Sequence, residues 1–112
     1  METANVVAAL SALAQETRLA IFRLLVRTGP GGLPAGVIAK EVGVVASTLS
    51  HHLALLEQAR LVRSARQGRN VIYSSDVDGI RSLLLFLAED CCEGRPDLGG
   101  DLRSLVLGNA AE

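Results

Sequence analysis

The chain has 112 residues, a formal charge of −1 and two cysteines, enough for one domain with a modest core. Near-zero charge excludes a protein that coats nucleic acid indiscriminately, and two adjacent cysteines cannot build the disulfide framework of a small secreted domain. The opening METANVVAAL lacks a basic n-region and no apolar run nears the roughly 18 residues that span a bilayer, so a cytoplasmic chain with no membrane partner is expected.

In chain order, Asn5 can cap a first helix reaching about Ala14, with Val6, Val7, Leu10 and Leu13 as its apolar positions. Thr17 can cap a second helix, in which Leu19, Ile21, Phe22, Leu24, Leu25 and Val26 supply core while Arg18, Arg23 and Arg27 face water or phosphate. The cluster Gly29-Pro30-Gly31-Gly32 ends it. Pro34 to Val42 then reads as a short helix with Val37, Ile38 and Val42 apolar, and Gly43 marks a tight turn.

The next stretch organises the chain. Leu49, Leu53 and Leu56 recur at i, i+4 and i+7 and line one side of a helix, leaving Ser47, Ser50, His51, Ala54 and Gln58 on the other. Two short helices around a glycine turn form a helix-turn-helix. The outer face is small and hydroxylated, which suits a major groove about 12 Å wide. Ser47, Thr48 and Ser50 can reach phosphates or base edges, His51 can reach a purine acceptor, and His52 is expected at the edge of the core.

Arg60, Arg63, Arg66 and Arg69 follow at a spacing of three, with no acid between Arg60 and Tyr73. Strands over Leu61–Ala65 and Asn70–Ser74, joined across Arg66-Gln67-Gly68-Arg69, make a basic hairpin able to clamp phosphate. The predicted fold is therefore mainly α with a small β-hairpin, a winged helix-turn-helix. The plain alternative is a protein-binding winged helix whose solvated hairpin arginines protect a strand edge.

Asp76 or Asp78 can cap a last long helix to about Cys92, in which Ile80 and Leu83 through Ala88 wrap nearly around the axis. A helix apolar on most sides needs cover. Hydrophobic residues make up 49% of the chain and mean hydropathy is +0.34. The excess lies in Asn5–Leu13 and Ile80–Ala88, which predicts a homodimer through the N- and C-terminal helices. Gly94 and Pro96 stop the last helix, and the remainder to Glu112 keeps a weak helical pattern at Leu102, Leu105, Val106 and Leu107. Charge is distributed unevenly: +1 over residues 1–39, +3 over 40–75 and −5 over 76–112. No His, Asp or Ser cluster forms a catalytic set, so an enzyme is not expected.

Three segments together resemble the ArsR/SmtB metalloregulators. They are Leu13-Ala14-Gln15-Glu16-Thr17-Arg18-Leu19 with Ile21 through Leu25; Ser47-Thr48-Leu49-Ser50-His51-His52-Leu53 with Leu56 and Leu61-Val62; and Gly68-Arg69-Asn70-Val71-Ile72-Tyr73. The resemblance implies a dimeric winged-helix repressor of double-stranded operator DNA, with residues 1–112 as one such domain. Two departures stand out: Gln15-Glu16 where many members have Asp-Pro, and Val45 where many have a capping Ser. The second leaves the recognition helix without a side-chain cap unless Ser47 or Thr48 serves.

Cys91-Cys92 is the other chemically distinctive feature. Thiolates are soft donors, so a vicinal pair is a reasonable trap for trivalent arsenic or antimony, and no resident cofactor is required. Neighbouring helical residues point about 100° apart, so joining both sulfurs to one atom distorts the helix end. The arsenical-responsive branch of the family is similar here but has a third Cys a few residues on, where this chain has Gly99 and Gly100. That leaves an organoarsenical sensor, arsenite with another third ligand, or an altered third Cys as alternatives. The helix before the turn has no Cys and the last helix no His, so the family's other metal sites are not expected. The competing reading makes the cysteines apolar filler, in a regulator with a different effector or none, such as a thiol redox sensor.

Overall fold

Capping and packing together set the helix boundaries. A computed structural model describes residues 1–92, with side chains through Glu89. The Cys91 and Cys92 thiols, the Gly94/Pro96 stop and the Leu102–Leu107 pattern all lie outside the described residues. The order is α1 (Thr3–Leu13), α2 (Glu16–Thr28), β1 (Leu33–Pro34), α3 (Ala35–Val42), α4 (Ala46–Gln58), β2 (Val62–Gln67), β3 (Asn70–Ser75) and α5 (Val77–Cys92).

Helix α1 begins ahead of Asn5: Glu2 is its N-cap, and the Val6 N–H donates to the Glu2 carbonyl at 3.0 Å without any side-chain cap. Its buried residues are Val6, Ala9 and Ala12, so the face turned inward is the small one and allows close approach. The larger Val7 and Leu10 stay 59% and 45% exposed. The cap of α2 is Gln15 rather than Thr17, because extended Gln15 lets its Oε1 accept from the Arg18 N–H at 2.8 Å. Ile21 and Leu25 are fully buried, whereas Leu19 and Val26, expected in the core, are exposed. Burying each side chain of the first kind stabilises by roughly 1.5–3 kcal/mol.

The sheet has three strands in the order β1-β3-β2, one more than the expected hairpin. Leu33 pairs with Tyr73 and Pro34 with Ile72, so Pro34 ends an edge strand before it caps α3; an edge position tolerates its missing N–H. Gly32 enters this strand at φ +68 against the Tyr73 carbonyl, where a Cβ would overlap backbone. Gly43 adopts the left-handed conformation that ends α3 and opens the turn to α4.

Helix α4 ends on Arg60 at φ 62, with Leu61 N–H donating to Leu56 O at 3.0 Å and Arg60 N–H to Glu57 O at 3.1 Å. That pair of bonds is a Schellman closure with a non-glycine at its left-handed position. Gly79, in the first turn of α5, sits directly on the Arg60 carbonyl. Of the two candidate caps, Asp76 serves, its Oδ1 accepting from Gly79 N–H at 3.0 Å. Asp78 instead lies 4.0 Å from Arg81 on the exposed side. Helix α5 is not covered all round: Leu83 and Ala88 are buried, while Leu84 and Leu87 remain 42% and 37% exposed.

Candidate nucleic-acid interface

Helix α4 divides by position. Leu49, His52, Leu53 and Leu56 face the core, whereas Ser47, Thr48, Ser50 and His51 are exposed. Val45 holds the N-cap and no side chain caps the helix, so neither Ser47 nor Thr48 takes that role. The first-turn N–H groups therefore lack a side-chain acceptor, and together with the hydroxyls they form a donor-rich end suited to phosphate.

His52 sits at the edge of the core, as expected. Its Nδ1 lies 3.2 Å from Arg18 Nη1, and a guanidinium only donates, so Nδ1 accepts and the ring proton belongs on Nε2. Burial, then the Arg18 charge, then His51 push His52 below the ordinary histidine value of 6.5. Arg18 had been expected to face water or phosphate. It turns inward because its Nε also donates to Ala12 O at 2.7 Å, giving a half-buried cation two acceptors. The His51 and His52 rings are 5.9 Å apart and tilted by 52°. Among the described residues, no group of three or more His, Cys, Asp or Glu side chains is placed to hold a metal ion.

The wing is a tight hairpin: Gln67 pairs with Asn70 and Gly68 takes φ +64. A positive φ at the first turn residue alone is the sign pattern of a type II′ connection. Strand alternation then separates the arginines. Val62, Ser64, Arg66, Val71 and Tyr73 share one face by register. Ser64 Oγ donates to Glu57 Oε2 of α4 at 2.7 Å, so this face looks toward the recognition helix. Arg63 is on the opposite face, in a cleft of about 320 Å³ shared with Ala65, Ser74 and Asp78. Arg69 is at the hairpin tip and Arg60 at the helix–strand joint. The structure thus places Arg66 on the α4 side and Arg69 at the tip, and sets Arg63 apart. The Glu57–Ser64 contact had no clear sequence signal, since it joins residues of different periodicity.

A helix-turn-helix domain model matches residues 13–65. Among solved structures, the chain is similar to NolR from Sinorhizobium fredii, 32% identical with TM-score 0.59, covering 77% of this chain and 83% of that one. An ArsR family transcriptional regulator is 25% identical with TM-score 0.68, covering 85% and 97%. The homodimeric winged helix-turn-helix DNA-binding domain of a possible ArsR-family regulator from Mycobacterium bovis is 28% identical with TM-score 0.62, covering 80% and 81%. The chain spans about three fifths of the length of the curated relatives it matches first, which include regulators of this helix-turn-helix type.

Proposed function

The chain belongs to the ArsR family of winged helix-turn-helix transcriptional regulators, and from that premise we propose a homodimeric repressor of operator DNA that trivalent arsenicals or antimonials release. The family is one of DNA-binding regulators, not enzymes. One observation carries the DNA reading: α4 buries Leu49, Leu53 and Leu56 and holds Ser47, Thr48, Ser50 and His51 outward. In this reading those four side chains enter the major groove. Arg66 and Arg69 hold the flanking backbone, and Arg63 on the far face of the wing adds mainly to the positive field.

Dimerisation is supported by the exposed Val7, Leu10, Leu84 and Leu87 on two helices that pack together. A second copy covers them, residues 1–112 act as one unit, and two α4 helices stand about 34 Å apart on a palindromic site. No helix among the described residues is long and apolar enough to cross a membrane.

Cys91 and Cys92 close α5, the helix whose exposed leucines face the partner in this proposal. Two soft sulfurs converging on one arsenic or antimony atom must distort that helix end, since adjacent residues diverge by about 100°. The strain reaches the dimer face and changes the spacing of the reading helices, a coupling of about 1–3 kcal/mol. The test is an anisotropy titration of labelled operator with arsenite and with methylarsenite, on wild type, Cys91→Ser and Cys92→Ser. Wild type should release DNA and the variants should hold it. Equal affinity throughout removes the arsenical effector, and release by oxidant alone favours a thiol redox sensor.

A further inference from the structure

His52 is a polar residue buried on the apolar side of α4, among Leu49, Leu53 and Leu56. What it meets there is Arg18, whose guanidinium is tied at two points: Nη1 to His52 Nδ1 at 3.2 Å and Nε to Ala12 O at 2.7 Å. Arg18's own N–H is held by Gln15 Oε1 at 2.8 Å. One side chain from the start of α2 therefore joins the end of α1 to the middle of the recognition helix. Side-chain packing does not make that connection alone. Beside Arg18 lies a cleft of about 190 Å³ between the two helices, lined by Ala8, Ser11, Ala12, Leu55 and Gln58.

We propose that Arg18 and His52 are positioning residues for DNA reading: the guanidinium bridge seats α4 against the end of α1, and only neutral His52 can accept it. The inference rests on the DNA-binding reading above. Arginine has no acceptor, so a proton on Nδ1 would oppose two donors and two positive charges across this contact. The charged or titratable groups around His52 are Arg18 from α2 and His51 on its own helix. Helix α1 carries no ionisable side chain between Thr3 and Leu13, while Lys40 and Glu41 of α3 and Arg63 and Arg66 of β2 are all exposed. Burial first, then the Arg18 charge and the neighbouring His51, favour the neutral ring that the bridge needs. Because α1 also presents Val7 and Leu10, the bridge links the helix offered to a partner with the helix offered to DNA.

The experiment uses the full chain and a labelled duplex selected from a random-sequence library, titrated from about pH 7.5 to about pH 5.5. Wild-type affinity should fall about tenfold across that range. His52→Gln offers Arg18 an amide oxygen that does not titrate, so it should match wild type at the upper pH and keep its affinity at the lower one. His52→Leu should be about tenfold weaker throughout. The exposed His51 is common to all three proteins, so any acid dependence that His52→Gln retains belongs to groups other than His52. Parallel acid profiles for wild type and His52→Gln overturn the proposal, as does His52→Leu binding like wild type. If His52→Leu does not fold, the Gln profile decides. A second arm needs no DNA: ring ¹⁵N spectra of the free protein should show His52 as the neutral Nε2–H tautomer at neutral pH, and an Nδ1–H ring overturns the bridge. Failure of wild type to bind any duplex, with the expected tautomer intact, instead removes the DNA reading on which the proposal stands.

Discussion

Gly79→Ala should destabilise the fold despite placing a better helix former in α5. A Cβ at residue 79 would overlap the Arg60 carbonyl oxygen and press on its carbon, and both atoms belong to backbone. The Arg60 carbonyl cannot swing aside cheaply, because the hydrogen bonds from Arg60 N–H to Glu57 O and from Leu61 N–H to Leu56 O fix that turn. Either α5 moves off or the end of α4 unwinds. Overpacking of this kind costs about 1–3 kcal/mol, and more against rigid atoms, while Ala over Gly returns about 1 kcal/mol of helix propensity. A net loss of about 2 kcal/mol corresponds to roughly 10 °C in Tm for a domain of this size. Circular dichroism melts at matched protein concentration measure it, with concentration held fixed because an oligomer's melting depends on it. A variant as stable as wild type, or more so, would mean that propensity alone governs this position and that the α4–α5 junction is not close-packed.

Gln15→Ala should cost about 0.5–1 kcal/mol in urea unfolding and Thr17→Ala much less, because Gln15 Oε1 holds the Arg18 N–H. In duplex binding measured against salt concentration, Arg66→Ala and Arg69→Ala should each lower the log–log slope by about 0.9, and Arg63→Ala by less, since it lies on the far strand face. Stability should also weaken in acid through His52. Its folded pKa lies below the ordinary 6.5, so between those values the unfolded chain binds more protons. The contribution is complete above about pH 6.5, is lost as pH falls toward the folded value, and levels off below it. His52→Gln should flatten that part of a stability-against-pH curve, and an unchanged slope would assign it to other groups.

The recognition helix was legible because its signal is strong: three leucines at helical spacing bury, and the hydroxylated positions between them do not. Gly43 and Gly68 were legible too, since each sits where a turn requires positive φ. The division of the wing arginines between two strand faces was not legible, for a physical reason. Spacing by three keeps residues together on a helix but throws them to opposite faces of a strand, whose period is two. Strand β1 has only two residues, too few to show any period. The caps at Asn5 and Thr17 followed residue preference, whereas the chain entered α1 earlier and used a longer amide at Gln15. Arg18 and His52 are 34 positions apart, and nothing local in either helix announces the other. Gly79 carries no signal of its own in the sequence. Its use appears only when the left-handed Arg60 is placed beneath it.

That junction also bears on how an event at the end of α5 could reach DNA. Most contacts between helices pass through side chains, which absorb small shifts by changing rotamer. The first turn of α5 rests instead on the backbone of the residue that closes α4, and Asp76 pins the same turn through the Gly79 N–H. From Gly79 to Cys92 the helix runs about 20 Å. Under the proposed arsenical reading, a force at the thiol end therefore acts on a lever whose short arm is the joint between the recognition helix and the wing. The exposed Leu84 and Leu87 lie between the two ends, so a partner subunit gripping them supplies the pivot. Tilting α5 about that pivot displaces the Arg60 turn, and with it the angle between α4 and β2 that the Glu57–Ser64 bond at 2.7 Å otherwise holds. Removing that bond by Ser64→Ala should loosen the wing and reduce DNA affinity without abolishing the arsenical response, because the lever acts upstream of it. A Ser64→Ala protein that bound DNA normally but no longer responded would reverse that order and refute the lever.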